Sequence, residues 1–137
     1  GEDQTFNFDI QTASLPEEIH DMIDSVDYNA LVDNIDSELK QAIKDWENGK
    51  KYVSRKRALM AVTKYYDGGG LKGALAKSFS EKRSQGLEDK LDDIRKVISG
   101  IGKNSKSATG DSLRQKVAFA VSQLRNNVLE LEARLNP

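Results

Sequence analysis

Residues Lys50 to Arg83 read KKYVSRKRALMAVTKYYDGGGLKGALAKSFSEKR, and how this stretch folds decides how the rest of the chain can fold. From Lys50 to about Tyr66 the spacing predicts a helix with Tyr52, Leu59, Thr63 and Tyr66 on one side and Val53, Met60 and Val62 flanking them. Asp67 and the run Gly68-Gly69-Gly70 end it, because glycine costs about 1 kcal/mol relative to alanine inside a helix and takes positive φ without strain. Leu71, Ala74, Leu75 and Phe79 then restart a short helical pattern that fades by Arg83. The stretch carries ten Lys or Arg against Asp67 and Glu81, a net of +8.

On either side the charge changes sign or fades. Gly1 to Gly49 holds thirteen Asp or Glu against two Lys, a net of −11, and Gln85 to Pro137 holds nine bases against seven acids, a net of +2. The overall charge of −1 therefore conceals a strong dipole along the sequence.

Working toward the N-terminus, Asp27 caps a helix in which Leu31, Ile35, Leu39, Ala42 or Ile43 and Trp46 recur every three or four residues until Gly49. Before it, Ser14 and Glu17 match a capping box for a short helix from about Leu15 to Ser25. Phe6, Phe8 and Ile10 alternate with polar residues, so Gly1 to Ala13 is expected to be an extended arm laid on the helices. Toward the C-terminus, Gly86 is read as a break, and Leu87, Leu91, Ile94, Ile98 and Ile101 form an apolar stripe. Gly102 to Gly110 reads as a loop. Asp111 or Ser112 opens a last helix in which Leu113, Val117, Val121, Leu124, Val128, Leu131 and Leu135 keep an alternating four and three spacing. The expected fold is all-α: a single-domain antiparallel bundle of five or six helices over residues 14–137, with the extended N-terminal arm over 1–13. No cysteine is present, so no disulfide forms.

A chain of 137 residues can bury roughly two thirds of its unfolded surface around one core. No apolar run approaches the ~20 residues of a membrane span. The sequence opens at Gly1 with no Met and no basic-then-apolar leader, and is read as processed or trimmed, which permits secretion.

Chemistry-bearing motifs are few. Gly68-Gly69-Gly70-Leu71-Lys72-Gly73 spells G-x-G-x-x-G, but a helix rather than a strand is expected before it, so a helix-breaking turn is the better reading. His20 is the only histidine, which excludes a two-histidine metal site within one chain. Pairs such as Asp92-Asp93, Asp33 with Asp36, and Glu17-Glu18 read as solvated helix faces, and no calcium-loop pattern occurs. Neither an enzyme activity, a metal nor a cofactor is expected.

Binding remains. Lys50, Lys51, Arg55, Lys56 and Arg57, near Tyr52, Tyr65 and Tyr66, fit a heparin-like polyanion or a nucleic acid, although a pI near 5.9 disfavours the latter. The competing reading is internal: an antiparallel hairpin would set Asp33, Asp36, Asp45 and Glu47 near those bases and cancel their field. The Tyr65 to Gly70 turn admits two readings as well, a tyrosine-rich protein interface or a core Tyr66 covered by Tyr65. The candidate partner-binding residues are Lys50, Lys51, Arg55, Arg57, Tyr65, Tyr66 and Lys72.

Three segments together carry a resemblance: Asp45 to Tyr52 (DWENGKKY), Arg57 to Leu75 (RALMAVTKYYDGGGLKGAL) and Gly110 to Val117 (GDSLRQKV). In these the chain resembles the anophensin-like small salivary proteins of Anopheles mosquitoes, over most of its length after the arm. The resemblance implies a secreted, non-enzymatic inhibitor that binds a host plasma protein complex and blocks a defence cascade. The cascade would be the alternative pathway of complement, or contact activation of coagulation with kinin release. The alternative, from the residues alone, is an intracellular helical module for protein interaction or polyanion binding.

Overall fold

In the computed structural model, residues 26–136 are described, and they form five helices in chain order with no strand among them. Helix α1 spans Tyr28–Glu47, α2 Lys51–Met60 with a π-helical continuation over Ala61–Asp67, α3 Leu71–Ser78, α4 Glu81–Ile98 and α5 Gly110–Leu135. The fold is the expected all-α bundle. The extended arm and the helix expected over Leu15 to Ser25 lie outside the described residues. Among those residues no helix is long and apolar enough to cross a membrane.

Local signals set most boundaries. The Asp27 carboxylate accepts the Ala30 N–H at 3.0 Å and starts α1, as its residue type requires. Thr109 caps α5, accepting the Ser112 N–H at 3.0 Å while Ser112 Oγ accepts the Thr109 N–H at 2.9 Å. This reciprocal cap starts the helix at Gly110, just ahead of the expected Asp111 or Ser112. Gly86 does not interrupt the chain: Ser80, whose Oγ accepts the Arg83 N–H at 3.0 Å, opens α4 six residues earlier, and Gly86 sits inside it. One cap and five further helical residues outweigh the ~1 kcal/mol that an interior glycine costs.

The core joins Val32, Ile35, Leu39 and Ile43 of α1, Leu91 and Ile94 of α4, and Leu113, Val117, Leu124, Val128 and Leu131 of α5. Long-range pairs fix the directions: Asn29 with Glu132, and Glu47 with Arg114, align α1 antiparallel to α5, while Arg83 with Glu130 and Lys116 with Asp93 do so for α4 and α5. Two expected stripe positions fall outside. Ile101 lies past the end of α4, and Leu135 lies on the last turn of α5, and both are exposed.

Helix α2 departs most from expectation. Its inward face is Ser54, Ala58 and Ala61, all fully buried, whereas Tyr52 is 77% and Leu59 46% exposed and Thr63 is also exposed. Three small side chains at helical spacing let α2 lie close against its neighbours, and that close approach turns the larger side chains outward. A face chosen by hydrophobicity alone misses this, because small size rather than apolar bulk selects the contact.

Candidate functional site

The Tyr65 to Gly70 corner is a structural joint. At about 100° per residue a continuous α-helix would bring Tyr65, not Tyr66, onto the face of Ser54, Ala58 and Ala61. The wide turn over Ala61–Asp67, seen in the Gly68 N–H bond to the Thr63 carbonyl at 2.9 Å, delays the register by one residue. Tyr66 consequently points inward and is fully buried, donating its hydroxyl to the Ser84 carbonyl at 2.8 Å. Ser84 Oγ in turn donates to the Lys72 carbonyl at 2.8 Å, so one polar chain ties the end of α2 to α3 and α4. Burial pushes the Tyr66 phenol up to about 12, with the Ser84 hydrogen bond working the other way and the Glu88 charge adding to the rise. Gly69 completes the joint: a Cβ there would lie 2.3 Å from the Tyr65 carbonyl oxygen and 2.5 Å from the Leu31 side chain. Only glycine lets this turn press against α1.

Two more candidates are committed within the fold. Arg57 donates from Nε to Asp45 at 3.1 Å and from Nη1 to Glu38 at 2.8 Å, and Asp45 is buried and also accepts from Gln41. Lys72 donates to both Glu88 oxygens at 3.0 Å, which holds its ammonium above the usual lysine range. The internal pairing expected for the basic stretch is therefore real, but it uses only one of the four expected acids, Asp45, together with Glu38 and Glu88. Asp45 meets Arg57, whereas Asp33 pairs with Arg125, Asp36 with Lys40 and Glu47 with Arg114. Helix α5 supplies two of those cations, and no hairpin argument from α1 and α2 alone would reach it.

Lys50, Lys51 and Arg55 are different. All three are exposed and none has a carboxylate partner among the described residues. Lys51 and Arg55, one turn apart, line a cleft of 250 Å³ with Trp46 at the end of α1, Val97 to Gly100 at the end of α4, and Ser105 and Lys106 of the loop after it. Trp46 and Lys106 were not singled out by sequence reasoning, since only the tertiary placement of residues 99–109 brings them to α2. Beside this cleft, on the outward side of α2, Tyr52, Lys56, Leu59 and Thr63 form a mixed apolar and cationic face. Tyr65, half-buried against the core under the Lys64 ammonium, belongs to neither.

Among the described residues no three ligand-type side chains gather as a metal site, and the G-x-G-x-x-G spelling follows a helix instead of a strand. The fold defines an all-α bundle with a cationic end. No family model, no curated protein and no solved structure matches the chain.

Proposed function

We propose that the protein is a secreted, non-enzymatic inhibitor of the salivary type, which binds a host plasma protein complex and blocks it by occupancy. The complex is a complement convertase of the alternative pathway or an assembly of contact-phase clotting factors. The resemblance of residues 45–52, 57–75 and 110–117 to the anophensin-like proteins supplies the class of target. The observation that carries a docking role is the outward face of α2. Tyr52 and Leu59, two of the larger apolar side chains of the helix, are presented to solvent with Lys56 between them.

Tyrosine is among the side chains that protein interfaces concentrate at their centres, so Tyr52 is the anchor, with Leu59 adding apolar area and Lys56 suited to the polar rim. Lys50 at the head of the same helix adds charge that speeds encounter with an acidic partner. A haemolysis assay of the alternative pathway, run beside a contact-activation clotting assay, tests the reading. Inhibition of one of them by micromolar protein is the expected result, and inactivity in both overturns it.

A further inference from the structure

The cleft between α2 and the loop of residues 99–109 differs in one chemical respect from four other concavities of the described residues. Each of those four mixes cations with carboxylates: Asp33, Asp36, Lys40 and Lys44 in one, Asp67, Lys72 and Glu81 in the next, Asp89, Lys90, Asp93 and Lys116 in a third, Glu130 and Arg134 in the last. The α2 cleft has Lys51, Arg55 and Lys106 on its walls and no acid.

A structural explanation exists for cations at this place, because α4 ends there and its dipole sets about half a negative charge at the cleft. It does not balance the site. The last carbonyls of α4 are already used, those of Arg95, Lys96 and Val97 accepting from the N–H groups of Ser99, Ile101 and Gly100. The N-terminus of α2, where Lys50 makes no side-chain cap, adds about half a positive charge of its own. Among the described residues no carboxylate on its walls compensates the three full positive charges of this 250 Å³ concavity.

We propose that this cleft binds the sulfate groups of a sulfated polysaccharide, with Lys51 and Arg55 holding one sulfated unit from the α2 wall and Lys106 closing on it from the loop. Trp46, half-buried in the same wall, offers an apolar edge for a sugar ring. A nucleic acid is the weaker fit on two grounds. Its bases need exposed aromatic platforms, and Trp46 is the one aromatic residue of the cleft. A long phosphate backbone would also run past the acids of α1 and α4, such as Asp33, Asp36, Asp89 and Asp93, whereas a short sulfate-dense segment stays within the cleft. The site lies beside the Tyr52 to Leu59 docking face but shares none of its residues, and its test uses no plasma protein, so its outcome is read separately from that of the proposed function.

Titration of the full chain with heparin fragments, chemically desulfated heparin and single-stranded DNA of equal charge provides the test. The expected result is binding to heparin that falls with salt on a log–log slope of about 2, as three ionic contacts give at roughly 0.7 released counterion each, with weaker binding of DNA and loss of binding on desulfation. The triple variant Lys51→Gln, Arg55→Gln, Lys106→Gln loses at least about tenfold in affinity, and Lys64→Gln, Lys77→Gln, Lys82→Gln, a control removing the same charge elsewhere, does not. Lys106→Gln alone, in the loop and outside every helix, repeats the loss in smaller measure and serves if the triple variant misfolds. Equal losses in the two triples, DNA bound as tightly as heparin, or no binding at physiological salt would each overturn the assignment.

Discussion

The two ends of α2 are built from similar letters and do opposite things. At its C-terminal end Tyr66 and the neighbouring Lys72 are spent inside the molecule, on Ser84 and on Glu88, as is Arg57 midway along, on Asp45 with Glu38. At its N-terminal end Tyr52, Lys51 and Arg55 meet no such partners among the described residues and face solvent. Tyrosine and arginine carry no fixed role in a helical sequence; the acids and backbone carbonyls that tertiary packing brings opposite them decide it. The difference also teaches where to look for binding, since residues that hold a fold together are poorly placed to engage a partner.

The comparison can be broken by substitution at matched pairs. Tyr66→Ala should cost about 3–5 kcal/mol, as removal of a large buried aromatic does, whereas Tyr52→Ala should stay within about 0.5 kcal/mol; urea unfolding of the two variants reads both numbers. Gly69→Ala comes next. The added methyl meets a carbonyl oxygen and Leu31, so a loss of about 1–3 kcal/mol is expected from overpacking, and a neutral result would mean that the turn does not press on α1. Arg57→Ala should cost about 1–3 kcal/mol by stranding the buried Asp45 carboxylate, against no measurable change for Arg55→Ala.

The smallest effect is a pH dependence. Because the folded-state pKa of Tyr66 lies above its unfolded value of 10.0, at about 12, folding favours the neutral phenol. That contribution is complete below about pH 10 and is lost as pH rises through about 12. The raised pKa of Lys72 acts in the same direction over the alkaline range. Tyr66→Phe separates the two: the variant should be less stable at neutral pH by about 1 kcal/mol and should lose less stability than the parent between pH 10 and 12. Parallel pH profiles would show that the phenol titrates alike in the folded and the unfolded chain, with no raised pKa in the fold.

The sequence made the helices legible wherever periodicity and caps agreed. Asp27, the apolar spacing of α1 and the alternating four and three spacing of α5 lead directly to elements that exist, and the polar loop before α5 lies where its composition puts it, except that Gly110 is already helical. What it could not reveal depended on neighbours. Gly86 resembles a stop until the Ser80 cap is set against it, and the inward face of α2 is hidden from a hydrophobic pattern because Ser54, Ala58 and Ala61 bury by being small. The π turn that exchanges Tyr65 for Tyr66 has no signature in spacing. For the candidate site the basic stretch was visible as charge. Which of its bases are answered required the positions of Glu38, Glu88 and α5, and the cleft required the loop that carries Lys106.

The outward face of α2 is proposed to serve a partner and not the fold, and the double variant Tyr52→Ser, Leu59→Ser, measured in the haemolysis and clotting assays alongside its urea midpoint, tests this. The expected outcome is a parent that inhibits one cascade, and a variant that unfolds at the same urea concentration but is at least about tenfold weaker, the equivalent of ~1.4 kcal/mol of binding. A variant as potent as the parent would contradict it.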